Sequence, residues 1–160
     1  MNNDVELWLV GSPDNRVTER VLLLASTEGV QDSIRVFPWM NKKNISNMIG
    51  AADVGIGPLS LDLEDMTEAQ PLKIRLYLAI GLPILINHID LGIDSNQPYI
   101  FYVPSHNSKV LAKGMDQLIN QKGECKELAK LYAKEHLSWD AVAKETVEFM
   151  SQLIEKRDHV

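Results

Sequence analysis

An α/β fold with a parallel sheet covered on both faces is predicted by two features of the chain. Short apolar runs ("VELWLV", "SIRVF", "DVGIGPL", "PILIN" and "YIFYV") recur along it, each closed by glycine, proline or a polar turn. Stretches with helical spacing separate most of them, which is the pattern of strands joined by helical crossovers. After "YIFYV" the chain reads as helix to its end. The expected architecture is a doubly wound parallel sheet of about five strands with a helical C-terminus.

The elements follow in order. Val5 to Val10 reads as a buried strand stopped by Gly11-Ser12-Pro13. A helix follows, with Asp14 placed to cap it, Val17, Val21, Leu24 and Ala25 at helical spacing, and Gly29 at its end. Residues 33–37 form a second strand, broken by Pro38. Residues 44–52 form a short helix with Ile45, Met48 and Ile49 on one face. The third strand, 53–59, carries small residues that suggest close approach by another backbone or a ligand. Pro71 fits a first helical position, where its missing N–H costs nothing. Gly81 fits the position past the end of that helix, and Pro83 blocks its continuation. Strands at 83–87 and 99–103 come next. Three helices are expected after them, Ser108 to Asn120, Gly123 to His136 and Ser138 to Lys156. The last has an apolar side of Val142, Val147, Phe149, Met150 and Leu153.

Composition narrows the function. The 160 residues are 45% hydrophobic and 24% charged, with a net charge of −6. That balance fits one globular domain and argues against a nucleic-acid partner, which needs a basic face. A single cysteine, Cys125, excludes an internal disulfide and suits a reducing compartment. The start "MNNDVELWLVG" has no signal-peptide character, and no run of about 20 apolar residues offers a transmembrane segment. The chain therefore reads as cytoplasmic. His106, His136 and His159 lie in loop or amphipathic-helix contexts without an i, i+4 partner, so no metal is expected. Neither a G-x-G-x-x-G turn nor a strained nucleophile turn is present.

In doubly wound sheets, ligands bind beyond the carboxyl ends of the strands. Those ends are Gly11-Ser12, Pro38-Trp39-Met40, Gly57-Pro58-Leu59 and Asn87-His88. The stretch "AADVGIGPL…E…PLKIRLYLAIGLPILI" resembles the C-terminal, donor-binding half of the retaining GT-B glycosyltransferases of the group 1 type. Pro71, Leu72, Lys73, Tyr77, Ala79, Gly81 and Pro83 match that family's helix in order and without gaps. "VELWLVG", "IRVFPWMNKKNISNMIGAADV" and "LSWDAVAKETVEFMSQLI" are similar to flanking parts of the same half. The resemblance implies a Rossmann-like half of a GT-B fold over residues 1–160. It also implies that the first strand-helix unit and the N-terminal acceptor domain are lacking, the latter belonging to the same or another chain. The partner implied is a nucleotide-diphospho sugar, bound as substrate without cofactor or metal. The reaction implied is transfer of a hexose, with retention, to a glycan, lipid-linked or small-molecule acceptor. In a full-length enzyme, peripheral association with the membrane fits the same picture.

The family spaces two donor-contacting carboxylates as Glu-x7-Glu. Glu68 matches the first, but position 76 is Leu76, which cannot accept a hydrogen bond from ribose hydroxyls. The donor-binding candidates are Glu68, Pro71, Leu72, Lys73, Leu76, Gly11, Ser12 and Met40. No catalytic residue is assigned, and the isolated chain is expected to be inactive.

Bland readings stand beside these. Glu68 is one acid in the charged loop "DLEDMTE", Lys73 a solvated first-turn lysine, and Gly11-Ser12 a simple turn, although a lysine there opposes the helix dipole, which favours the phosphate reading. Trp39 beside Met40 is an aromatic after a strand, which is more often core than a base platform. Arg75 reads as a surface helix residue, and His88 as a structural or solvated histidine. The alternative function is a non-catalytic, degenerate glycosyltransferase module that binds a protein partner. A flavodoxin-like receiver fits less well, because only Asp14 offers a carboxylate after the first strand.

Overall fold

The computed structural model describes residues 5–11, 16–61, 65–66, 68–103 and 106–157. It is an α/β protein whose strands all pair in parallel, as β1-β2 in one sheet and β3-β4-β5 in another. The five expected strands are present, and their hydrogen bonds divide between two sheets. The chain forms two compact units, residues 1–46 and 47–160.

In the first unit β1 (Leu7–Val10) pairs with β2 (Ile34–Phe37), Leu7 opposite Ile34 and Val10 opposite Phe37. Trp8 and Phe37 meet edge to face at 5.9 Å, and Arg35 pairs with Glu6 at 2.6 Å. Helix α1 (Arg16–Thr27) joins the two strands and ends at Gly29, whose φ of +69° suits a residue without a Cβ. Asp14, its expected cap, lies outside the described residues. The α1 stripe is only partly sequestered: Ala25 is buried, whereas Val17, Leu22, Leu23 and Leu24 are exposed. Helix α2 (Lys42–Ala51) starts at Asn41, whose side chain accepts from the Asn44 amide at 2.9 Å, and it buries Ile49.

The core lies in the second unit. Strand β4 (Ile84–Ile86) is buried throughout, between β3 (Gly55–Ile56) and β5 (Ile100–Tyr102). Helix α3 (Leu72–Ile80) presses Ile74 and Leu78 onto Ile84, Ile86, Tyr99 and Cys125. A second cluster gathers Leu85, Val103 and Leu118. The small residues of β3 are explained by α3: a Cβ on Gly55 would lie 2.5 Å from the Tyr77 ring, and one on Gly57 would meet Ile86 and Ile74. What approaches the strand there is packed side chain.

Two expectations about helix boundaries change. Pro71 is the N-cap rather than the first helical residue, with extended φ −67° and ψ 131°. The two helices expected across 108–136 are one, α4 (Ser108–Tyr132), which passes through Gly123. Glycine in a helix costs only about 1 kcal/mol relative to alanine. Burial of Leu118 and Cys125 on either side outweighs that. A single π-helical turn, Ala133–Leu137, then leads into α5 (Trp139–Arg157). Among the described residues no helix is long and apolar enough to cross a membrane.

Candidate functional site

Four site elements of the second unit meet at the carboxyl ends of β3 and β4. Helix α3 is held by its end as much as by its face. Gly81 adopts φ +86°, its N–H and that of Leu82 close onto Leu78 and Tyr77, and a Cβ there would lie 2.7 Å from the Lys126 carbonyl. Glycine is required on both counts. The other end of the helix is open. No side chain caps it among the described residues, and Ile74 is the first residue whose N–H returns to Pro71, at 3.1 Å. The amides of Leu72 and Lys73 are therefore the orphan donors of a helix start, where anions bind.

Several sequence candidates surround this point. Leu72 is 84% exposed, an unusual position for leucine. Lys73 is exposed, and burial around its ammonium lowers its pKa. Glu68 is exposed and its main chain bridges Ile89 in parallel, with the Ala69 amide donating to the Ile89 carbonyl at 3.0 Å. The loop before α3 thus runs alongside the residues that follow β4. Leu76 is half-buried and faces a different place, an open hollow it lines with Ala79, Lys130, Lys134, Leu137 and Ser138.

The first unit carries the remaining candidates. Gly11 ends β1 and gives its amide to the Phe37 carbonyl at 3.0 Å, so that donor extends the ladder. It also lines a shallow hollow with Val17, Thr18, Val21 and Val36. Met40 is half-buried beyond β2, and Ser12 lies outside the described residues. Trp39 is 81% exposed, so it is not the core aromatic its position suggested.

Arg75 corrects another reading. It is not a surface residue: its guanidinium grips the buried Asp90 carboxylate through both nitrogens, one of these bonds being 2.7 Å. Asp90 also accepts from the Gly92 amide at 3.1 Å, and a Cβ on Gly92 would strike the Arg75 guanidinium at 2.7 Å. This pair ties α3 to the segment after β4, joining residues 15 apart that no local pattern connects.

Two buried polar residues follow β4. Asn87, 9% exposed, donates to the Leu59 carbonyl at 2.6 Å, while its Oδ1 has no partner among the described residues. His88 is 2% exposed, and neither ring nitrogen makes a well-formed hydrogen bond. Burial holds its pKa below the usual histidine value; the Pro58 carbonyl and Asp90 pull it upward, and Lys73 and Arg75 push it down. The sequence signal for His88 was its place at a strand end; its burial was not legible there. No group of acids, histidines and cysteines suited to a metal ion occurs among the described residues.

The fold and this strand-end arrangement can be set beside known proteins. A structure of sucrose-phosphate synthase from Thermosynechococcus elongatus superposes with a TM-score of 0.71 at 16% identity, covering 94% of this chain and 39% of that one. The pneumococcal O-GlcNAc transferase GtfA, solved with UDP and GlcNAc, gives a TM-score of 0.56 at 13% identity, covering 97% and 30%. The chain therefore spans well under half the length of either structure. No curated protein matches it significantly. The family model described as glycosyl transferases group 1 matches residues 1–136. The chain belongs to the group 1 glycosyl transferases.

Proposed function

We propose that this chain is the donor-binding half of a retaining glycosyl transferase, holding a nucleotide-diphospho hexose for transfer to a glycan, lipid-linked or small-molecule acceptor. The observation that carries this reading is the uncapped start of α3, which leaves the Leu72 and Lys73 amides as orphan donors at the end of the loop that carries Glu68. Amides at a helix start, together with a cation, stabilise the negative charge that develops on a departing diphosphate, so no metal is needed. Glu68 is the acceptor for sugar hydroxyls. Acceptor binding and closure of the cleft belong to a second half in the same or another chain, and the isolated 160 residues bind donor without turning it over.

Calorimetric titration with UDP, GDP and their sugar conjugates, with and without magnesium, tests this. One nucleotide should bind without metal, and Glu68→Ala or Lys73→Ala should weaken it about tenfold or more, the loss of one charge-assisted contact. Equal affinity in both variants would sink the proposal.

One observation favours a second reading, a non-catalytic module. Leu76 stands where the family's second carboxylate would contact ribose, and it lines a hollow with two lysines instead. If Leu76→Glu raises nucleotide affinity, the donor site is intact and merely weakened. If no nucleotide binds either form, the module reading stands.

A further inference from the structure

His88 is the one buried histidine among the described residues, and the donor reading leaves it without a task. Three of its features point the same way. It lies two residues beyond the carboxyl end of β4, next to Ile89, whose bridge to Glu68 brings in the loop preceding α3. Its ring is sequestered, and among the described residues neither nitrogen makes a well-formed hydrogen bond, the Pro58 carbonyl only favouring its proton; a purely structural histidine avoids that cost by hydrogen bonding. Finally, the charges around it are mixed: Asp90 favours a proton on the imidazole, whereas Lys73 and Arg75 oppose it.

We propose that His88 belongs to the phosphate subsite at the start of α3, where it donates a hydrogen bond to an anionic oxygen of a bound diphosphate. This rests on the donor reading and deepens it. An arriving dianion would offset the cations that oppose a proton on the ring and would give the ring a hydrogen-bond acceptor. The Asn87 side chain, clamped to the Leu59 carbonyl, holds the β3 exit loop beside the ring.

A consequence follows from electrostatics. In the empty protein the imidazole faces Lys73 and Arg75 as unfavourable charges and Asp90 as a favourable one, and burial keeps it neutral. An anion in contact favours the imidazolium. Diphosphate binding should then draw one proton from solvent onto His88. Affinity should rise as pH falls, by up to ~10-fold for each unit that the ligand lifts the histidine midpoint.

The test is side-chain NMR of the 160-residue chain with labelled histidine, titrated from pH 8 to 5.5 with and without inorganic pyrophosphate, and again with UDP. His88→Gln assigns the signal. The expected result is an imidazole neutral in the empty protein and moved to the imidazolium form by either probe, with the Leu72 and Lys73 amides shifting at the same concentrations. UDP affinity should be pH-dependent in the wild type and flat in His88→Gln.

If the amides respond but the His88 signal does not move, the inference is overturned while the donor reading survives. If neither responds to either probe, both fall. If His88 responds without the amides, the anion lies elsewhere and the proposed subsite is wrong. Because the decisive signals come from the wild type, a poorly folding variant does not blunt the test.

Discussion

Arg75 and Asp90 form a contact with a clear energetic sign. A guanidinium held bidentately by a buried carboxylate is compensated only while both partners remain. Asp90→Ala should therefore cost about 3–5 kcal/mol, measured by urea denaturation, because an uncompensated charge is left behind. Surface pairs such as Lys130–Glu127 should contribute within about 1 kcal/mol. His88 predicts a pH dependence. Its folded pKa is depressed, so between the folded and unfolded values the unfolded chain binds a proton that the native state refuses. The resulting stability is full above the ordinary histidine value and is lost as pH falls through it. Melting temperature followed from pH 7.5 to 5 should fall less steeply in His88→Gln than in the wild type. Cys125, buried with its pKa raised by burial and by Glu124, should resist thiol reagents until the protein unfolds.

At the scale of the element, α3 and α4 make opposite predictions for glycine. Gly81 has a positive φ and a backbone carbonyl where a Cβ would stand, so Gly81→Ala should destabilise by more than about 1 kcal/mol. Gly123 has a helical backbone and open space around its missing Cβ, so Gly123→Ala should stabilise by about 0.5–1 kcal/mol. Thermal melts of the two variants give both answers, and a destabilised Gly123→Ala would contradict the continuous helix. Leu78→Ala, which empties the centre of the α3 contact, should cost about 2–5 kcal/mol. On α5, Trp139 is 89% exposed, so Trp139→Ala should change stability by less than about 0.5 kcal/mol.

Across the whole molecule, burial is uneven. The second unit holds both hydrophobic clusters, whereas in the described part of the first only Ala25 is buried. Local opening should accordingly be cheaper around β1 and β2 than around β4 and β5. Native-state hydrogen exchange reads this directly: amides of Ile84 to Ile86 should be protected well beyond those of Leu7 to Val10. Equal protection would mean that the units open together.

How far all this could be read from the chain depends on the range of the forces involved. Strands, crossover helices, the stop at Gly81 and the match from Pro71 to Pro83 were legible, because periodicity, proline and glycine act within a few residues. Glu68 and Lys73 could be put forward as candidates for the same reason, because the family pattern that singles them out spans only a few residues. The Arg75–Asp90 pair, the burial of His88 and the uninterrupted α4 were not legible. Each depends on a partner brought from elsewhere in the chain, and the free energy of burial is decided only once the sheet has closed around it. The amino-acid order was enough to settle the fold class and the family helix. Tertiary packing alone decided which polar groups are sequestered beside that helix and which are left exposed.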